Sequence, residues 1–211
     1  VIRIVYLHGF ASTPLSNKAQ FFKRHFAQLD NVEFDIPQLD QGNFNTLTIT
    51  GQLRVIDQAV HGDRVILMGS SLGGYLAARY ASRHANVERL VLLAPAFEFP
   101  SRWRQRFAND LARWQSSGSL PFYHYGFKEE RPLHYQFVED AVQYEDVPDF
   151  KQPALIFHGT QDAVVPPEVS ERFAATHSNV KLELVESGHE LTDVLDRLWA
   201  ETAKFLGFQK P

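Results

Sequence analysis

Cysteine is absent from this chain of 211 residues. That excludes disulfides, thiolate metal sites and cysteine nucleophiles in one step. A basic excess is absent too: the formal net charge is −4, the wrong sign for a general nucleic-acid binder, so no nucleic-acid partner is expected. No apolar run approaches the roughly 18 residues of a membrane span. Residues 1–7 alternate like a strand rather than forming a basic and apolar leader, so the expected location is cytoplasmic. None of the nine histidines forms an H-x-H or H-E-x-x-H pattern, so neither a metal nor another cofactor is expected.

What the chain does have is an alternation of short apolar runs and helical patterns. Residues 2–7 (IRIVYL), 32–36 (VEFDI), 64–68 (RVILM), 89–93 (RLVLL), 154–158 (ALIFH) and 180–185 (VKLELV) read as strands. Most are near-continuous apolar runs rich in Val, Ile and Leu, the pattern of strands covered on both faces. Helical periodicity fills residues 15–29, 46–60, 72–84, 168–176 and 189–205, the first with Thr13 as N-cap and Pro14 at the first helical position. The order predicts one α/β domain over residues 1–211 with a mainly parallel sheet. Residues 98–148 interrupt it and read as an inserted helical cap. Trp103, Phe107, Leu111 and Trp114 fall on one face of a first helix, and a second spans 134–144.

The run RVILMGSSLGG at 64–74 carries the chemistry. Gly69-Ser70-Ser71-Leu72-Gly73 is a G-x-S-x-G pentapeptide between a strand and a helix. Such a turn stands its serine proud of the sheet edge in a strained conformation and requires small residues two before and two after it. Ser71 meets that requirement and Ser70 does not. The pentapeptide alone also fits a plain Gly/Ser turn, so the partners decide. Serine needs a base, and the base needs a carboxylate to fix its tautomer. Asp162 lies just past the fifth strand and His189 just past the sixth, both on the sheet edge expected of the serine turn. The order Ser71, Asp162, His189 differs from the two other well-known serine triad orders. Each partner by itself could be a loop acid or a helix-start residue. An oxyanion needs backbone donors, which Leu72 and Phe10 would supply. His8, beside them, reads as a structural histidine bracing the loop.

With these motifs the chain resembles the α/β-hydrolase superfamily. The run YLHGFASTPLSNKA at 6–19, GSSLGGY and the late Gly-His are similar to small bacterial esterases of the YqiA/YcfP type. HGTQDAVVP and the Glu139-Asp140-Ala141 segment resemble small acyl-ester and thioester hydrolases typified by α/β-hydrolase domain-containing protein 10. The resemblance implies Ser71 as nucleophile, Asp162 as acid, His189 as base, and Phe10 and Leu72 as oxyanion donors. It also implies a minimal six-stranded parallel sheet in the order 2-1-3-4-5-6, with helices on both faces and a site at the switch point between strands 1 and 3.

The expected substrate is a small-molecule acyl ester or thioester. Trp103, Phe122, Tyr123 and Tyr125, with Trp114 and Phe127, could line its pocket; the same rings could simply pack the cap on the body. Arg102, Arg104, Arg106 and Arg113 could meet an anionic group or form a solvated helix face. Acyl transfer to another acceptor, peptide cleavage, carbon–carbon hydrolysis and a non-catalytic binding role on the same fold are the alternatives.

Overall fold

The computed structural model describes residues 1–208. Its central sheet contains β1 (Ile2–Leu7), β2 (Val32–Asp35), β3 (Val65–Ser70), β4 (Val87–Leu93), β7 (Ala154–Gly159) and β8 (Val180–Val185). All neighbouring pairs are parallel, in the order β2-β1-β3-β4-β7-β8. β5 (Ser119–His124) and β6 (Glu129–His134) form a separate antiparallel ribbon. With that ribbon set aside, the six sheet strands follow the order implied by the sequence.

Side chains alternate across a strand, so a continuous apolar run must bury two faces. Here Val5, Leu7, Val65, Leu67, Leu90, Leu92 and Ile156 enter one core cluster. Their neighbours Ile4, Tyr6, Ile66, Met68, Val91, Leu93 and Phe157 enter the other. Helices α2 (Ile49–Val60), α3 (Leu72–Ala81) and α7 (Glu168–Thr176) cover the first face. Helices α1 (Asn17–Phe26) and α8 (Leu195–Leu206) cover the second. β2, at an edge, is only half-buried. Among the described residues no helix is long and apolar enough to cross a membrane.

Several boundaries differ from the sequence expectation. α1 starts later, with Ser16 at the N-cap, because residues 13–16 close a turn through Ser16 N–H to Thr13 O. α2 begins at Ile49, where the Thr48 hydroxyl accepts from Gly51 N–H at 2.9 Å. α8 begins six residues after His189, leaving that residue on a loop.

The cap is the larger difference. The first expected helix is two helices, α4 (Phe99–Arg106) and α5 (Leu111–Ser117), with Asp110 at the N-cap position of the second. Asn109 and Asp110 favour caps over helix interiors, which is the reason for the break. The second expected helix contracts to α6 (Gln136–Ala141). Between them lies the β5–β6 ribbon, where no strand was expected. Pro121 and Pro132 face each other in its register; a two-stranded ribbon has two free edges, so it tolerates prolines that a central strand could not.

Trp114 locks this insertion together. Its side chain is fully buried, and its Nε1–H donates to Leu133 O at 2.8 Å, joining α5 to β6. Trp114→Ala is therefore expected to cost about 3–5 kcal/mol in urea unfolding. A loss below about 1 kcal/mol would show that the cap does not share the cooperative fold.

Candidate active site at the carboxyl edge of the sheet

β3 and α3 meet at Ser71, whose φ of 53° and ψ of −116° put a non-glycine residue in a sparsely populated region. A side chain at Gly69 would overlap Gly73 O, and one at Gly73 would overlap Leu7 O. The pentapeptide glycines are thus steric requirements: one lets the turn close on itself, the other lets α3 approach β1. The turn is pinned by Ser71 N–H to Leu93 O at 2.9 Å and by Ala96 N–H to Ser71 O at 3.0 Å.

The loops leaving β7 and β8 bring Asp162 and His189 to this turn. His189 Nδ1–H donates to Asp162 Oδ2 at 2.7 Å, and Ser71 Oγ–H donates to His189 Nε2 at 3.0 Å. The carboxylate thereby selects the tautomer whose free nitrogen faces the serine. Three residues separated by up to 118 positions are joined in one hydrogen-bonded line.

Asp162 has further partners. Its Oδ1 accepts from Val164 N–H at 2.8 Å and Val165 N–H at 2.9 Å. His158 Nε2 lies 3.2 Å from its Oδ2, with both side chains fully buried. That same nitrogen donates to Val165 O at 2.9 Å, and His158 Nδ1 accepts from Ser170 Oγ–H at 2.7 Å. Burial alone would raise the Asp162 carboxyl. The hydrogen bonds from His158, His189 and Val165 outweigh it and hold the group well below the usual carboxylate range. His158 was not among the expected site residues. Its signal was its place at the strand end four residues before Asp162, a position that also suits an ordinary core residue.

The Phe10 and Leu72 N–H groups donate to no other group among the described residues. Leu72 N–H opens α3, where the helix dipole favours negative charge. The Phe10 ring does a different job. It meets Trp103 at 4.9 Å, Phe122 at 5.6 Å and Phe137 at 5.8 Å between ring centres, tying the β1 loop to the cap, and Phe44, outside the cap, at 5.4 Å. His8 is buried beside it; its Nε2 accepts from Leu39 N–H at 3.3 Å, bracing the loop against residues 37–42.

The expected pocket residues fall in two groups. Trp103 and Phe122 stack on each other within the cap cluster, with ring centres 5.6 Å apart. The void left among Trp103, Phe107, Trp114 and Phe137 is only about 10 Å³. Tyr123 and Tyr125 are exposed, Tyr125 to 71%. A cleft of about 620 Å³ lies at the opposite end of the sheet, by the segments entering β7 and β8. Its Asp149 is already paired with Lys151 and His177, and nothing of the serine site reaches it. Among the cap arginines, Arg113 pairs with Asp110 and Arg102 approaches Val164 O at 3.5 Å.

A family model described as uncharacterised protein family UPF0227 matches residues 3–206. The chain belongs to that family. Its fold is that of the α/β-hydrolase superfamily, shared with solved structures over nearly the whole length. Alpha/beta hydrolase domain-containing protein 10 from mouse matches with a TM-score of 0.81 at 18% identity, over 97% of this chain and 89% of its own. Est1E from Butyrivibrio proteoclasticus with ferulic acid bound matches at 0.78 and 19%, over 99% and 89%. A monoacylglycerol lipase from Paleococcus ferrophilus matches at 0.72 and 19%, over 98% and 95%. This UPF0227 member is thus similar in fold to named hydrolases.

The Asp162 carboxyl gives a pH signature. Its folded-state pKa lies below the ordinary value of 3.8. The resulting stability is present above that value and is lost as pH falls from about 4 downward. The melting temperature of the wild type is expected to fall more steeply over this acid range than that of Asp162→Asn. Parallel curves for the two proteins would contradict the assignment.

Proposed function

We propose that this chain is a serine hydrolase that cleaves carboxylic esters or thioesters through an acyl-enzyme intermediate. The observation that carries the reading is the unbroken line Asp162–His189–Ser71, with contacts of 2.7 and 3.0 Å at a strained serine turn. A core loop has no need of a buried carboxylate orienting a histidine towards a serine held at positive φ. The two fold relatives described as a monoacylglycerol lipase and as Est1E with bound ferulic acid agree with ester chemistry.

In this reading His189 Nε2 takes the Ser71 proton as Oγ attacks the acyl carbon. Asp162 stabilises the imidazolium that forms. The oxyanion is received by the N–H groups of Phe10 and Leu72, each such donor contributing about 2.7–4 kcal/mol. His189 then returns the proton to the leaving alcohol or thiol. Water repeats the sequence on the acyl-enzyme, restoring Ser71 and releasing the acid.

Trp103 and Phe122, with the exposed Tyr123 and Tyr125, would form the acyl contacts. The first two are already packed, so a long acyl chain would have to displace them. Nitrophenyl esters and acyl thioesters of graded length are the direct test. The expected result is faster turnover of acetyl and butyryl than of decanoyl substrates, and a loss of at least about a thousandfold in Ser71→Ala. Equal rates in the two proteins would remove the serine mechanism. A preference for the longest chains would mean that the cap rings part to admit substrate.

A further inference from the structure

One cation is buried next to the triad without any part in the chemistry above. Lys18, on the first turn of α1, is only 6% exposed. Ammonium groups are almost never buried to that degree unless paired. Lys18 Nζ donates to the backbone O of Glu190 at 2.6 Å and lies 3.4 Å from its Oε2. Glu190 directly follows His189. Its carboxylate is 75% exposed, so water screens that half of the contact. The contact made in the interior is with the main chain.

The loop after β8 is held elsewhere by other groups. Gln161 N–H donates to Ser187 O at 3.0 Å, and the Ser187 hydroxyl donates to Asp193. Those ties fix the residues before His189 and those nearer α8. Lys18 holds the main-chain carbonyl of the residue that follows His189. Burial pushes its own pKa down, while Glu190 and, at longer range, Asp162 pull it back up, so the acid of the triad already acts on this ammonium.

We infer that Lys18 is a positioning residue for His189: its ammonium grips the Glu190 carbonyl and fixes the imidazole between Asp162 and Ser71. The inference rests on the serine-hydrolase reading and adds α1 to the elements that build the site. A buried lysine is costly to desolvate, and an apolar side chain of similar length is often tolerated or stabilising in its place. A merely structural role therefore predicts that activity follows stability in Lys18→Met. A positioning role predicts that they part.

The test measures kcat, KM and melting temperature on the short-chain ester for wild type, Ser71→Ala, Lys18→Met and Lys18→Gln. Gln is one bond shorter than Lys, so it also loses the 2.6 Å contact; it carries the test if Lys18→Met does not fold. The expected result is a fall in kcat of about tenfold to a hundredfold with KM nearly unchanged, and a melting temperature in Lys18→Met at or above that of the wild type. Wild-type kcat in either folded variant overturns the inference, as does a rise in KM at constant kcat. Failure of both variants to fold assigns Lys18 to stability and overturns it as well. A wild type no faster than Ser71→Ala removes the underlying hydrolase reading, an outcome separate from wild-type kcat in the Lys18 variants.

Discussion

The turn at Ser71 forces a side-chain-bearing residue to φ 53° between β3 and α3, a conformation that costs about 1–3 kcal/mol and persists only where its surroundings impose it. Here they do. The Ser71 N–H is held by β4 through Leu93 O, and its carbonyl by Ala96 N–H. Gly73 lets α3 sit against Leu7, so the end of β1 and the loop behind it lie beside the serine. Two central strands and the first turn of a buried helix therefore share one set of contacts. Loss of either pentapeptide glycine would open all of them together.

The chemistry-bearing groups arrive at this turn on loops, each fastened by buried polar contacts. Asp162 is held by two backbone N–H groups and flanked by His158, which Ser170 and Val165 orient in turn. The ammonium of Lys18 binds the main chain next to His189. Such contacts are expensive to bury and strong when satisfied. Phe10 couples the end of β1 to the cap through three aromatic neighbours, Trp103, Phe122 and Phe137, so the N–H proposed to receive an oxyanion belongs to a residue whose ring cannot move independently of the cap.

The central sheet strands were legible because strands buried on both faces write themselves as near-continuous apolar runs rich in Val, Ile and Leu, while the edge strands β2 and β8 have fewer such residues and are only partly buried. Ser71, Asp162 and His189 were legible as strand-end residues in one order, and their convergence follows from the parallel topology. The cap was not. Pro121 and Pro132 argue against a strand in a bare sequence, yet an isolated ribbon with two free edges accommodates them. The helix through Trp103 and Trp114 breaks at Asn109 and Asp110, although Trp103, Phe107 and Trp114 still meet. Lys18 and His158 escaped notice for a different reason. Sequence shows which residues carry charge or a titratable ring, while their burial is decided by neighbours more than a hundred positions away in one case and by a helix twelve positions on in the other.

The central claim is that the geometry around Ser71 makes its hydroxyl a nucleophile. Intact-protein mass spectrometry after treatment with a fluorophosphonate, followed by peptide mapping, tests it without knowledge of the natural substrate. The account predicts a single covalent adduct on Ser71, absent from Ser71→Ala and formed far more slowly in His189→Ala. An unmodified protein, or an adduct on any other serine, would contradict it.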